Sequence, residues 1–104
     1  MKAIISGKTY NTATATVICD SGNDLPSGDF RSERSELYVT KKGAYFIAGR
    51  GGAMGRFSRK SGDDGWIGSE GIIRVTQQEA LDEAESKAPS EVVEAFFGDV
   101  LEDA

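Results

Sequence analysis

Residues Glu36 to Gly55 read ELYVTKKGAYFIAGRGGAMG, the pattern of a β-hairpin that runs straight into a glycine-rich turn. Leu37, Tyr38, Val39 and Thr40 are strand formers, and so are Tyr45, Phe46 and Ile47. Lys41-Lys42-Gly43 between them supplies the turn, with a glycine free to take positive φ. The hairpin is expected to span about Glu33 to Arg50, with Tyr38, Tyr45, Phe46 and Ile47 giving core surface. Gly49, Gly51, Gly52 and Gly55 then break the strand pattern. Met54 and Phe57 are expected to anchor this corner to the core, and Ala53 to Arg59 to form one helical turn.

Upstream of the hairpin, Lys2 to Ser6 reads as a short strand and Gly7-Lys8 as a turn. Ala13 to Cys19 alternates, with Ala15, Val17 and Cys19 on one side and Thr14, Thr16 and Ile18 on the other, as a half-buried strand does. Ser21-Gly22-Asn23-Asp24 and Pro26-Ser27-Gly28-Asp29 are turn formers and mark a loop before the hairpin. Downstream, Ser61 to Gly65 is a polar loop, Trp66-Ile67 a weak strand and Ile72 to Val75 a firmer one.

The last thirty residues change character. Thr76-Gln77-Gln78-Glu79 fits a capping box, which opens a helix with Ala80, Leu81, Ala84 and Ala88 on one face. Pro89 ends it, and Ser90 is expected to cap a second helix. Val92, Val93, Phe96, Phe97, Val100 and Leu101 form its apolar stripe, which Gly98 can cut short. The expected fold is α+β: one domain over residues 1–104, an antiparallel sheet of four to five strands with two C-terminal helices packed on one face.

A chain of 104 residues with 38% apolar and 28% charged side chains fits a single globular domain. No apolar run approaches the roughly 20 residues of a membrane span, and the MKAIIS start lacks the apolar core of a signal peptide. Cys19 is the only cysteine, which suits a reducing compartment, so a cytoplasmic protein is expected. The net charge of −5 hides an asymmetry. Residues 1–62 carry ten basic and five acidic residues, a net +5, whereas residues 63–104 carry two basic and twelve acidic ones, a net −10. One mildly basic and one strongly acidic side follow from this split.

The residue inventory argues against an enzyme. Without histidine there is no Ser–His or Cys–His pair, and a single cysteine cannot build a zinc site, so neither catalytic residues nor a metal is expected. Cys19 reads as a small core residue. Asp20-Ser21-Gly22-Asn23-Asp24 alternates oxygen ligands as a calcium loop does, but Arg31 stands where the bidentate glutamate belongs. The run GRGGAMGR lacks G-x-x-x-x-G-K-S/T, and Met54 breaks G-x-G-x-x-G. The acyl-CoA loop R-x-x-G-x-G/A is missed at Ala53. No cofactor is therefore expected, although Arg50, Arg56, Arg59 and Lys60 could still hold a phosphate or a carboxylate.

Those cations lie near Tyr45, Phe46 and Phe57 in sequence, the composition of a single-strand binding platform. The overall acidity argues against direct nucleic-acid binding.

Three stretches, GKTYNTATA at 7–15, DFRSERSELYVTKKGAYFIAGRGGAMGRFS at 29–58 and GIIRVTQQEALDEAE at 71–85, together resemble a family of small proteins carried by phages and conjugative elements of bacteria. Proteins of this size and acidity on mobile elements resemble host-defence inhibitors, in particular anti-CRISPR proteins. The resemblance implies a bacterial cytoplasm and a host protein complex as partner, a CRISPR effector subunit among the candidates. The strand Ala15 to Cys19 departs from the family by being more apolar, so details of partner contact do not carry over.

A CRISPR effector holds nucleic acid in positively charged channels, which a small protein displaying carboxylates can occupy as a nucleic-acid mimic. Glu79, Asp82, Glu83, Glu91, Glu94, Asp99, Glu102 and Asp103 are the expected contact residues. The bland alternative makes them the solvated faces of two amphipathic helices. A rival of another class is a non-catalytic single-stranded nucleic-acid or protein binding module that uses the basic hairpin and the glycine-rich corner.

Overall fold

A computed structural model describes residues 1–62 and 65–104, so Asp63 and Asp64 of the expected 61–65 loop lie outside the described residues. Among the described residues eight strands and two helices follow in order: β1 (Lys2–Ile5), β2 (Lys8–Asn11), β3 (Thr16–Asp20), β4 (Glu33–Val39), β5 (Tyr45–Gly51), β6 (Arg59–Ser61), β7 (Gly65–Ile67), β8 (Ser69–Val75), α1 (Gln77–Lys87) and α2 (Ser90–Phe97). The fold is α+β. Its centre is a four-stranded antiparallel sheet in the order β3-β4-β5-β8, and β1-β2 and β6-β7 form two separate ribbons.

The hairpin expected at the centre is there. β4 and β5 pair without interruption from Glu33↔Gly51 to Val39↔Tyr45. Its turn closes with the Thr40 amide donating to the Ala44 carbonyl at 2.8 Å, and Gly43 sits at φ +86°. Because a strand alternates its faces, this one hairpin feeds two cores. Leu37, Val39, Tyr45 and Ile47 point toward the helices and meet Leu81, Ala84, Val93 and Phe97. Tyr38, Phe46 and Ala48 point the other way and are covered by Tyr10 of the N-terminal ribbon.

The second core is aromatic. Phe46 is fully buried, stacked on Tyr38 with centroids 4.9 Å apart and meeting the edge of Tyr10 at 5.7 Å. Such pairs add about 0.5–1.5 kcal/mol beyond area burial. On the helix side the Tyr45 ring stacks on Phe97 at 5.5 Å and fixes α2 to the sheet.

The capping box forms as read. The Glu79 amide donates to Thr76 Oγ1 at 3.1 Å, and the Thr76 amide donates to Glu79 Oε1 at 2.8 Å. Ala80, Leu81 and Ala84 are the buried face of α1. The N-cap of α2 is Pro89, with no side-chain cap, and Ser90 is the first helical residue, which corrects its expected capping role. Regular helix ends at Phe97. A 3-10 turn over Gly98–Val100 follows and leaves Val100 and Leu101 exposed.

Three other expectations change. The alternation of β3 is broken by a bulge between Val17 and Cys19: Ile18 is buried on the helix side with Cys19 packed beside it, and Val17 is exposed. A bulge places two successive side chains against one partner residue, so strict period-two reading fails there. Residues 53–57 form turns instead of the expected helical turn over Ala53 to Arg59, with the Gly55 amide bonded to the Gly52 carbonyl and the Ser58 amide to the Gly55 carbonyl, and Arg59 already opens β6. Phe57 is a core anchor as expected, but Met54 is 71% exposed because its amide is tied to the Phe30 carbonyl on the loop side.

Gly49 and Gly71 face each other across β5 and β8, yet they differ in kind. A Cβ on Gly49 would fall within contact distance of the Arg34 carbonyl oxygen and 2.5 Å from Ser35 Cα, whereas one on Gly71 would meet nothing within 4 Å. Gly49→Ala is therefore predicted to lower unfolding free energy by about 3 kcal/mol or more in urea melts. Gly71→Ala should be neutral or stabilise by roughly 0.4–1 kcal/mol. Equal effects would contradict this packing.

Candidate functional site

Two charged arrangements dominate the molecule. The first is centred on Glu33, a carboxylate that β4 places on the helix side of the sheet, where it is buried. Burying a carboxylate demands a partner, and the glycine-rich corner brings one. Arg56 Nε donates to Glu33 Oε1 at 3.0 Å and Nη2 to Oε2 at 2.7 Å, a forked pair. The same Nη2 reaches Ser21 Oγ at 3.1 Å and Glu83 Oε1 of α1 at 3.3 Å. Ser35 Oγ donates to Glu33 Oε2, and Ser21 Oγ to Glu83 Oε1. Burial works against the charge on Arg56, but the hydrogen bonds and charge of Glu33, with Glu83 behind them, more than offset it and raise the guanidinium pKa.

This cluster is a clasp between four elements. No buried side-chain polar atom among the described residues lacks a partner. Arg56, one of the cations expected to hold an anion, is thus committed to two carboxylates of its own chain. The glycines beside it serve packing: a Cβ on Gly52 would meet the Phe30 carbonyl and lie 2.9 Å from the Asp29 oxygen. Of the other expected cations, Arg50 is an exposed β5 residue opposite Arg34 and Glu70. Arg59 and Lys60 are exposed on the β6-β7 ribbon, facing Ile67 and Trp66. These cations therefore do not converge with Arg56 on one site.

The second arrangement is the outer surface of the two helices. Residues 76–104 hold nine acids and one base, Lys87. Lys87 Nζ donates to the Gly22 carbonyl at 3.1 Å and so turns back toward the loop. Among the expected acids, Glu83 is drawn inward by Arg56 and Glu79 closes the capping box. The Thr76 amide, and behind it the Thr76 hydroxyl, hold the Glu79 carboxyl below its usual range. Asp82 accepts from Gln78 Nε2 at 2.9 Å and stays exposed. Glu91, Glu94, Asp99, Glu102 and Asp103 are exposed and in no ion pair among the described residues.

Glu85, outside the expected set, belongs to the same surface. It lies three residues beyond Asp82, on the same helix face, a spacing that could have identified it. Glu85 and Glu94 flank an open groove of about 300 Å³ between the helices, lined otherwise by Ala88, Ser90, Val93 and Leu101.

Among the described residues no group of three or more cysteines and carboxylates is arranged to hold a metal, and no helix is long and apolar enough to cross a membrane. The chain matches no protein-family model, no curated protein and no solved structure at a significant level.

Cys19 is half-buried beside the clasp. Burial pushes its thiol pKa up, the charges of Glu83 and Asp20 push it further, and Lys87 only partly opposes them. A raised pKa depletes the thiolate, the reactive form. Alkylation of the folded protein by iodoacetamide at pH 8 is predicted to run at least ~10-fold slower than that of glutathione. An equal or faster rate would contradict this placement.

Proposed function

We propose that this chain is a small acidic inhibitor, carried by a mobile element, that binds a host defence complex in the bacterial cytoplasm. A CRISPR effector is the class to which its sequence resemblance points. The reading is non-catalytic: carboxylates of the helical layer occupy a cationic surface that otherwise takes nucleic acid. The observation that carries it is an acidic layer left uncompensated, with Asp82, Glu85, Glu91, Glu94 and Asp99 exposed and the one nearby base turned away.

Like charges three apart, as in Asp82 with Glu85 and Glu91 with Glu94, cost an isolated helix roughly 0.2–0.5 kcal/mol per pair. A face needed only for solvation is served better by alternating signs. A cationic partner turns the same cost into attraction, faster encounter and a fixed orientation. The groove between Glu85 and Glu94 adds shape to charge. Its apolar floor of Ala88, Val93 and Leu101 suits the aliphatic stem of an arginine or lysine, with the two carboxylates near its head.

A second reading, a binding module for single-stranded nucleic acid, draws on one feature. Trp66 is 61% exposed directly across from Lys60 on the β6-β7 ribbon, pairing a stacking ring with a cation. Since Trp66 is the only tryptophan, its fluorescence reports on this surface alone.

The test is capture from bacteria carrying several CRISPR types, repeated with Asp82→Ser/Glu91→Ser/Glu94→Ser/Asp99→Ser in one chain. The variant is expected to keep its circular dichroism and melting cooperativity while losing at least ~10-fold in partner affinity, and wild-type binding should weaken steeply with salt. Undiminished binding and inhibition by the variant would sink the mimicry reading. Salt-sensitive quenching of Trp66 by random single-stranded DNA would favour the module instead.

A further inference from the structure

The two edges of the main sheet are built differently. β3 is five residues long and carries the bulge at Ile18, features that discourage further pairing. β8 is seven residues long, has neither bulge nor proline, and holds an unbroken register with β5. Among the described residues β5 is its only ladder partner. The N-terminal ribbon meets β8 through the aromatic cluster on the sheet face and forms no ladder with it.

The order of residues along that edge is self-complementary. Ile72 is the middle residue of Ser69–Val75, with Glu70 two places before it and Arg74 two places after, all on one face. When two copies of β8 run antiparallel about a two-fold axis at Ile72, Glu70 of each copy stands opposite Arg74 of the other, and Ile72 stands opposite Ile72. A two-fold interface requires that one patch complement itself, and this arrangement does so in charge and register. A slip by one residue would put the charges on opposite faces. Neither Glu70 nor Arg74 takes part in an ion pair within its own chain among the described residues.

We infer that β8 is a homodimer interface through which two copies join edge to edge into one continuous sheet, four strands from each. Directly opposed residues of an antiparallel pair point to the same side, so both helical layers lie on one face of the joined sheet. The inference stands independently of the partner proposed for those helices.

Sedimentation velocity on the full chain over a wide concentration range tests it. A reversible monomer–dimer equilibrium is expected. Arg74→Glu sets glutamate against glutamate at both ends of the interface and should weaken the dimer at least ~10-fold. It is the cleaner single change, because its neighbour within the chain is Phe46. Glu70→Lys should also be monomeric, and mixing the two variants should restore dimers, since each supplies the charge the other lacks. Melting curves check folding, and concentration-dependent protection of β8 amides in hydrogen exchange provides a readout on the wild-type chain. A wild type that stays monomeric, an Arg74→Glu chain that dimerises undiminished, or a mixture that stays monomeric would each overturn the inference.

Discussion

A carboxylate buried on the helix-facing side of a central strand cannot stand alone, and Glu33 sets the terms for much of this molecule. Its partner, Arg56, comes from a corner that is distant in sequence, and the corner must fold back closely for the guanidinium to arrive. Once there, Arg56 has a donor left to reach Ser21 and Glu83, so the loop before the hairpin and the first helix are drawn to the same point. Lys87 adds a second tie from α1 to that loop through the Gly22 carbonyl. The clasp thus coordinates the sheet, the corner, the loop and the helix layer. It also sorts the charges, taking Glu83 and Arg56 out of play and leaving the remaining helix acids to solvent.

The hairpin is the other half of the design. Its two faces serve two cores, one closed by the helices and one by a ribbon at the chain's start. Phe46 illustrates the arrangement: it is fully buried in a cluster that, among the described residues, contains no helix side chain. The helices spend their apolar stripe on the opposite face through Leu81, Ala84, Val93 and Phe97. That leaves their outer surfaces free of packing duty and available for charge.

Local chemistry was legible in the sequence. The hairpin follows from strand formers around Lys41-Lys42-Gly43, and the first helix from Thr76 and Glu79, which find each other as a capping box. The buried face of α1 follows from helical spacing. What sequence reading missed depends on residues far apart in the chain. Nothing near Met54 says that its amide will bond to Phe30 and leave its side chain outside. Ile18 lies in an alternating run that predicts the wrong face, because only pairing with β4 creates the bulge. Arg56 looked like a free cation because Glu33 is twenty-three residues away. The acids of the two helices were visible by composition, but which of them stay free was decided by Arg56, Gln78 and the helix cap.

Glu33 and Arg56 act as one unit, and a double-mutant cycle measures their coupling directly. Unfolding free energies of wild type, Glu33→Gln, Arg56→Met and the double variant would be compared in urea. Removing Arg56 alone strands a buried carboxylate and is predicted to cost about 3 kcal/mol, and the pair should show a coupling of roughly 2 kcal/mol. Single-variant effects that add to within about 0.5 kcal/mol would mean the two side chains do not depend on each other, and would contradict the clasp.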